Sequence, residues 1–147
     1  MSKFFHNTVA AIVEKDGKFL MVEERTRKGI KINQPAGHVE LGETLLDAVI
    51  RETMEETAFE FIPKKLLGVY KWQEPINREV FIRYAIIGKV GDYQLDTRLD
   101  SGIIKTHWLT PLEIKQAENK RSVMVNQCIE DYLTGNYYPL AVITELE

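Results

Sequence analysis

The apolar positions near the start of this chain fall into two short runs. Residues 8–14 and 18–24 are rich in β-branched and other apolar side chains, and Asp16-Gly17 separates them. An Asp-Gly pair between two such runs is a strong hairpin signal, because glycine readily adopts the positive φ that the turn requires. The pattern therefore predicts a β-hairpin.

The only long helical pattern begins after Thr44. This residue is a good N-cap, and Asp47 follows three positions later in a capping-box arrangement. Apolar residues then recur at helical spacing, which predicts a helix that continues to about Thr57.

The rest of the chain predicts three strands and two short helices. A basic, turn-like segment at 25–36 comes first, and a Gly91-Asp92 turn follows the second strand. The strands are predicted at 65–72, 79–90 and 106–109, and the helices at 111–118 and from Ser122 to about Tyr132, before Gly135. Within the second of these strands, Arg83 interrupts a run at 80–86 that is otherwise apolar on both faces, and such strands are usually covered by helices on both sides. We therefore predict one domain over 1–147, an α/β/α sandwich around a mixed β-sheet.

The long helix carries an unusual acidic patch. At about 100° per residue, Glu52 and Glu56 fall within about 20° of Leu45, in the apolar stripe, and Glu55 lies beside them. Amphipathic helices normally place their acids opposite the core, and like charges at this spacing repel one another. A positive group must offset this charge.

Hard cations are one such group, and basic side chains are the other. Arg51 is close enough to pair with these acids, but Glu40 and Glu43 add negative charge just before the helix. Oxygen ligands without cysteine favour Mg²⁺, or Mn²⁺, over zinc, and protein-bound Mg²⁺ commonly meets a phosphate group. The alternative is a solvated acidic helix face, and the helix alone does not decide between the two.

Composition excludes several classes of protein. The chain has 19 basic and 22 acidic residues and a net charge of −3, which argues against a nucleic-acid polymer or an anionic membrane as partner. One cysteine, Cys128, cannot form an internal disulfide, and no apolar run is long enough for a membrane span. The first six residues lack the apolar core of a signal peptide, so we expect a cytoplasmic protein.

The segment from Gly37 to Phe59 resembles the Nudix box, G-x5-E-x7-R-E-U-x-E-E-x-G-U. The fixed positions that match are Gly37, Glu43, Arg51, Glu52, Glu55 and Glu56. The segment departs from the box at Thr53, where the family has an aliphatic residue, at Phe59, which is aromatic, and at Ala58, where it has glycine. A glycine there is expected to end the helix in a left-handed conformation, which alanine adopts only at a cost of about 1 kcal/mol.

The likeness extends beyond the box to the NudJ-type phosphatase branch of this family. The segments that carry it are Asn33-Gln34-Pro35-Ala36-Gly37-His38, the region of Trp72, Arg121-Ser122 and Tyr138-Pro139-Leu140. One departure is Ile32, where the branch has tryptophan. If that ring stacks on a substrate, Ile32 would weaken the stacking.

The resemblance implies a set of roles. Glu52, Glu55 and Glu56, with the backbone carbonyl of Gly37, would bind one to three Mg²⁺ ions, and Arg51 would pair with Glu43. Glu52 is the first choice for the general base, and Asp100 is an alternative outside the box. Substrate contacts are expected from His6, Trp72, Arg83, Arg121 and Ser122, for each of which a purely structural role is the alternative.

The function implied is Mg²⁺-dependent hydrolysis of diphosphate linkages in small molecules. The implied substrates are nucleoside tri- or diphosphates, or thiamine-type pyrophosphates, and their hydrolysis would release phosphate. An ADP-ribose or dinucleotide pyrophosphatase and a non-catalytic Nudix-fold ligand sensor are the alternatives. Either a monomer or a homodimer is compatible with the sequence.

Overall fold

The computed structural model describes residues 5–146. The first four residues, on which the expectation about a signal peptide partly rests, lie outside this range. Within it the strands are β1 Phe5–Ile12, β2 Glu14–Lys15, β3 Lys18–Thr26, β4 Gly29–Asn33, β5 Ala36–His38, β6 Phe59–Gln73, β7 Val80–Tyr93 and β8 Ile103–Leu109. The helices are α1 Leu45–Thr57, α2 Pro111–Gln116 and α3 Val123–Thr134, followed by a 3₁₀ turn at Leu140–Val142. None of the described helices is long and apolar enough to span a membrane.

The strands form two sheets. The first has the order β5-β1-β7-β6, in which β1 and β7 are parallel and the other neighbours antiparallel, so this sheet is mixed as predicted. In the second, β3 lies between β2 and β4 along the main path and also pairs with β8. The second sheet was not anticipated as a separate unit.

The predicted hairpin exists only in a shortened form. Asp16 and Gly17 adopt φ values of 52° and 77°, and they join the two-residue strand β2 to β3. The run before the turn does not continue along β3, because β1 pairs with β5 and β7 in the first sheet instead. Residues of β1 are buried on both faces, which explains why the chain gives up the longer hairpin.

Two other predictions about local structure are wrong. The basic segment at 25–36 contains β4 and the start of β5. Strand β5 is held by its pairing with β1 rather than by a strand-like pattern in its own sequence. The chain does not turn at Gly91-Asp92, because β7 remains paired with β6 as far as Tyr93, opposite Phe59.

The helix boundaries follow the capping signals. The Thr44 hydroxyl accepts a hydrogen bond from the Asp47 amide at 3.1 Å, and α1 ends at Ala58, whose φ is 64°. Ser122 caps α3 through the Met124 amide, and Gly135 ends it at a φ of 82°.

The core lies on both faces of the first sheet. One cluster joins α1 to the face of β1 that carries Val9 and Ala11. The other joins α3 to the opposite face, which carries Ile12 and Ala85. Helices thus cover the two faces of this sheet. The apolar stripe of α1, which packs against the sheet, also carries two of its glutamates.

Candidate active site

A pocket of about 360 Å³ lies where α1 and α3 approach the two sheets. Both sheets and both helices contribute to its walls. The residues that line it are Thr8, Glu24, Asn33, Ala36, Gly37, His38, Glu40, Glu52, Glu56, Trp72, Phe81, Arg83, Arg121, Ser122 and Met124. Four of the five predicted substrate contacts are among them.

A cluster of carboxylates lies beside this pocket. Oxygen atoms of Glu52, Glu55 and Asp100 lie within 4.8 Å of one another. Asp100 comes from the loop between β7 and β8, and its amide donates to the Glu55 carbonyl at 2.9 Å. Glu52 also lines the pocket, so it connects the acidic cluster to the space that a substrate would occupy.

Glu56 is the third acid of the predicted metal set, and it is not one of the three residues whose oxygens lie within 4.8 Å of one another, although the charges of Glu52 and Asp100 contribute to raising its pKa. It is only 7% exposed, and its Oε1 accepts a hydrogen bond from the Ala36 amide at 2.9 Å. It lines the pocket together with Glu52. The structure thus groups Asp100, rather than Glu56, with Glu52 and Glu55.

Gly37 lies directly against Glu52. A Cβ atom placed on Gly37 would overlap the carboxyl group of Glu52, so only glycine fits between strand β5 and this side chain. The contact places backbone of β5 beside a carboxylate of α1. It supports a shared site, although the role of the Gly37 carbonyl as a ligand remains a prediction.

Arg51 links the loop before α1 to the acids of the helix. Its Nε and Nη2 donate to the two carboxylate oxygens of Glu43 at 2.6 and 2.9 Å, which is the pairing that the sequence predicts. Its Nη1 donates to Glu52 at 2.8 Å and Glu55 at 3.1 Å. These bonds raise the pKa of Arg51 and lower that of Glu43. Glu40 lies farther away, 3.5 Å from Arg51.

One arginine does not neutralise the remaining acids. Burial raises the pKa of Glu52 despite its bond to Arg51, and it raises the pKa of Glu56 well above its usual range. Glu55 and Asp100 add negative charge beside them. A set of carboxylate oxygens with surplus charge, half-buried at the wall of a pocket, fits a hard divalent cation.

The predicted substrate contacts differ in how they are placed. Trp72, Arg83, Arg121 and Ser122 line the pocket. The Arg121 guanidinium also donates to Glu24 at 2.7 Å. His6 does not line the pocket and instead stacks on Phe81, with ring centroids 4.3 Å apart. The position of His6 therefore does not support a direct contact with a ligand. Its ring instead packs against Phe81, which is an aromatic residue of the pocket wall.

Two departures from the family pattern have structural explanations. Thr53 is fully buried in the stripe of α1, where its hydroxyl donates to the Val49 carbonyl at 2.7 Å and so needs no other partner. Ile32 is 7% exposed and is not one of the pocket residues, so the structure does not support an effect on stacking there. Its carbonyl instead accepts from the Arg121 amide at 2.9 Å.

Sequence reasoning missed several pocket residues. Glu24 and Phe81 lie on strands at positions where nothing local distinguishes them from other strand residues. Burial and the neighbouring His6 lower the pKa of His38. Asn33 and His38 both belong to the segment 33–38 that carries the family resemblance, and that resemblance is the signal that could have indicated a role for them.

Comparisons with known proteins agree with this geometry. A family model described as the NUDIX domain matches residues 4–127. The Phosphatase NudJ of Escherichia coli strain K12 is 38% identical over 138 residues, which is 94% of this chain and 90% of that protein. These matches confirm the family resemblance that the sequence indicates.

Solved structures extend the comparison to the fold. A NUDIX hydrolase from Nitrosomonas europaea is 41% identical, with a TM-score of 0.93 over 96% of this chain and 97% of the other. A MutT NUDIX hydrolase from Burkholderia pseudomallei has a TM-score of 0.74 at 17% identity, over 88% of this chain and 98% of that one, which is a likeness of fold alone. The predicted α/β sandwich is confirmed.

Proposed function

We propose, from the premise that this chain belongs to the Nudix hydrolase family, that it hydrolyses diphosphate linkages in small molecules with the help of Mg²⁺. Family membership makes it a phosphohydrolase of the Nudix type. The identity of the metal and the substrate are the parts that we propose, and Mn²⁺ is the alternative to Mg²⁺.

One observation carries the proposal, namely that three carboxylates converge at the edge of a pocket. Glu52, Glu55 and Asp100 bring oxygens within 4.8 Å of one another, and Glu52 faces the pocket as well. Such oxygen-rich sites suit Mg²⁺, which keeps coordination positions open for phosphate oxygens. A non-catalytic ligand sensor would not need this arrangement.

The residues present fit a divalent cation, and we assign its ligands accordingly. Glu52, Glu55 and Asp100 would hold it, with Glu56 and the Gly37 carbonyl as further oxygen ligands. When bound, the cation would lower the pKa of water and neutralise charge on the phosphate oxygens.

The side chains of this protein supply the other steps. The oxygen of a water attacks phosphorus, the P–O bond of the diphosphate breaks, and the proton of the water passes to a carboxylate. We assign this proton to Glu52, with Asp100 as the alternative, and Arg51 holds Glu52 in place at 2.8 Å. The rest of the pocket, including Trp72, Arg121 and Ser122, binds the remainder of the substrate.

We propose that the substrates are nucleoside tri- or diphosphates, or thiamine-type pyrophosphates, with phosphate as a product and the cytoplasm as the location. The relative named Phosphatase NudJ covers nearly the whole chain, which favours the release of phosphate. An ADP-ribose or dinucleotide pyrophosphatase would release nucleoside monophosphates instead.

A substrate panel tests the proposal. The purified protein is assayed with Mg²⁺, Mn²⁺ or EDTA against nucleoside triphosphates, nucleoside diphosphates, thiamine diphosphate and ADP-ribose, and phosphate, pyrophosphate and monophosphate are quantified. We expect metal-dependent release of phosphate from at least one of the first three groups. Binding of a probe without any turnover would support a sensor and overturn the proposal.

Matched variants test the role of the acidic cluster. Glu55→Gln and Asp100→Asn each remove one carboxylate from partly or fully exposed positions, so the fold is expected to survive. We expect kcat to fall at least about 100-fold in Glu55→Gln, because metal-based stabilisation is large. Glu60→Gln, an exposed residue of β6, is the control and should retain full activity.

A further inference from the structure

A second cavity, of about 210 Å³, adjoins the active-site pocket. Trp72, Phe81 and Arg121 line both spaces, so the two form one continuous cleft. Gly37 and Glu52, which mark the acidic end of the cleft, line the first space and not the second. The second space therefore lies beyond the three shared residues, and we call it the distal cavity.

One wall of the distal cavity is the turn between β3 and β4. The Thr26 hydroxyl donates to the Gly29 carbonyl at 2.8 Å and accepts from the Lys28 amide at 3.1 Å. These bonds fix the turn on both sides of Arg27, and Lys31 follows on β4. Arg27, Lys28 and Lys31 all line the cavity, so this wall presents three cations from a backbone that is held in place.

Another wall is the loop between β6 and β7. The Glu74 carboxylate accepts from the amides of Ile76 and Asn77, at 3.1 and 2.7 Å. The Asn77 side-chain oxygen accepts from the Glu79 amide at 2.9 Å, which leaves the side-chain nitrogen of Asn77 as a donor. Asn77 lines the cavity, and across residues 5–146 this nitrogen donates to no protein group. The loop thus adds a neutral donor to the cations of the turn.

Two of the four cations that line the distal cavity are already paired. Arg121 donates to Glu24 at 2.7 Å, and Lys28 lies 3.5 Å from Glu74. Bonds from the loop amides hold the pKa of the Glu74 carboxyl below its usual range, so this acid is ionised at neutral pH. The two pairs therefore add little to the net charge of the cavity.

Arg27 and Lys31 carry the positive charge that remains. In the part of the chain that the structure describes, neither belongs to an ion pair. Glu79 is the other acid of the lining and lies 3.5 Å from His6, so two cations are set against one carboxylate. Solvated surface cations are common, but these two line a concave space together with the Asn77 donor. Guanidinium forks, ammonium groups and amide donors are the groups that bind phosphate oxygens.

Sheet register sets the distance between the two ends of the cleft. Gly37 pairs with Val9 of β1, and Val9 pairs with Tyr84 of β7, three residues after Phe81. With strands about 4.8 Å apart and residues about 3.3 Å apart along a strand, the Gly37 and Phe81 backbones lie about 14 Å from each other. This distance exceeds the length of a diphosphate, so a group in the distal cavity belongs to the end of a substrate that is remote from the cleaved linkage.

We propose that the distal cavity is a second anion subsite, in which Arg27, Lys31 and Asn77 bind a phosphate group at the far end of the substrate. The assignment rests on the proposed function for the position of the diphosphate at the acidic cluster. Substrates of this class carry phosphate at both ends, as does a nucleoside diphosphate with a further phosphate on its sugar. The subsite favours such compounds over the same diphosphates without the added group.

A double variant, Arg27→Gln with Lys31→Gln, tests this assignment. It removes both unpaired cations, and because Arg27 is exposed and Lys31 is partly buried, we expect the melting temperature to be unchanged. The matched control is Arg25→Gln with Lys105→Gln. It removes the same number of charges from exposed positions on strands of the same sheet that line neither cavity.

Binding is measured by calorimetry in EDTA, so that no turnover occurs. The probes are ADP and GDP, the same two nucleotides with an added 3′-phosphate, and ATP and GTP, in which the added phosphate lengthens the chain instead. We expect at least one 3′-phosphorylated diphosphate to bind about ten times more tightly than its parent, and the double variant to abolish this difference. The control should preserve it, and added salt should shrink it, because exposed charges are screened.

The triphosphates separate a phosphate on the sugar from one in the chain. We expect the ratio of triphosphate to diphosphate affinity to be the same in the native protein and the double variant. Equal losses for triphosphates and 3′-phosphorylated diphosphates would mean that the cations act on any anion in the cleft, which would overturn the assignment to the remote end.

Three further outcomes would overturn the assignment. They are equal affinity of the native protein for each diphosphate and its 3′-phosphorylated form, an undiminished difference in the double variant, and the same loss in the control. If the double variant does not fold, Arg27→Gln alone decides the matter, with an expected loss of about threefold. A 3′-phosphate preference in a protein that hydrolyses nothing would uphold this inference while the proposed function fails.

Discussion

The carboxyl group of Glu52 occupies the space that a side chain on Gly37 would need. Strand β5 and helix α1 thus meet at a point where one residue has no side chain and the other has a charged one. Because Gly37 has no side chain, this three-residue strand, which pairs with β1, can lie this close to the helix. It also ties the position of a proposed general base to the backbone of the sheet.

Gly37→Ala is expected to displace Glu52 and abolish most activity. The added methyl group overlaps the carboxyl group, so either the side chain of Glu52 or strand β5 must move. Because small misplacements of catalytic groups cost about 100-fold in rate, we expect kcat to fall by at least this factor. Gly102→Ala is the control, since its Cβ would meet only the Arg25 carbonyl at 3.7 Å. Native kcat in Gly37→Ala would contradict the proposed site.

Arg51→Lys is expected to loosen the loop before α1. A lysine has the charge but not the fork that reaches both oxygens of Glu43 and also Glu52. We expect the free energy of unfolding in EDTA to fall by about 1–2 kcal/mol, as hydrogen bonds to charged groups typically contribute. Urea titration measures this change, with Arg98→Lys at an exposed position as the control. An unchanged stability would show that these bonds have no net effect.

Much of the fold could be predicted because it depends on local signals. Thr44 and Ser122 cap helices where the sequence indicates, and the stripe of α1 places Glu52 and Glu56 at the buried edge. The helix pattern alone reveals this conflict between charge and burial.

The remainder depends on contacts between distant parts of the chain. Strand β5 exists because β1 pairs with it, and Asp100 reaches Glu55 from a loop about 45 residues later in the sequence. The sequence of β5 does not indicate that β1 is its partner, and the sequence around Asp100 does not indicate that Glu55 is its partner. Arg83 is the one charge in the apolar run 80–86, but the spacing of residues does not reveal its neutral partners.

Glu56→Gln is expected to stabilise the metal-free protein at neutral pH. Burial raises the pKa of Glu56 in the fold, so between its ordinary and its raised pKa the folded state binds more protons than the unfolded state. The free energy of unfolding of the native protein therefore falls as pH rises through this interval. Glutamine does not titrate and retains the oxygen that accepts from Ala36, so we expect a gain of about 1 kcal/mol at pH 8.

Thermal melts in EDTA from pH 4 to pH 8 measure this effect. The advantage of the glutamine variant should grow with pH and disappear near the ordinary pKa of a glutamate. Adding Mg²⁺ should reverse the order at pH 8, since the cation would bind the native carboxylate. A variant that is less stable than the native protein at every pH would contradict the stated burial cost.

Ala58→Gly is expected to stabilise the protein without affecting its chemistry. Ala58 ends α1 with a φ of 64°, a left-handed conformation in which alanine is strained and glycine is not. We expect the free energy of unfolding to rise by about 1 kcal/mol and the melting temperature by about 4 °C. Ala117→Gly is the matched control, because Ala117 ends α2 at a φ of −63° and the change there should bring no gain. Equal effects of the two substitutions would mean that the left-handed helix end of α1 carries no strain.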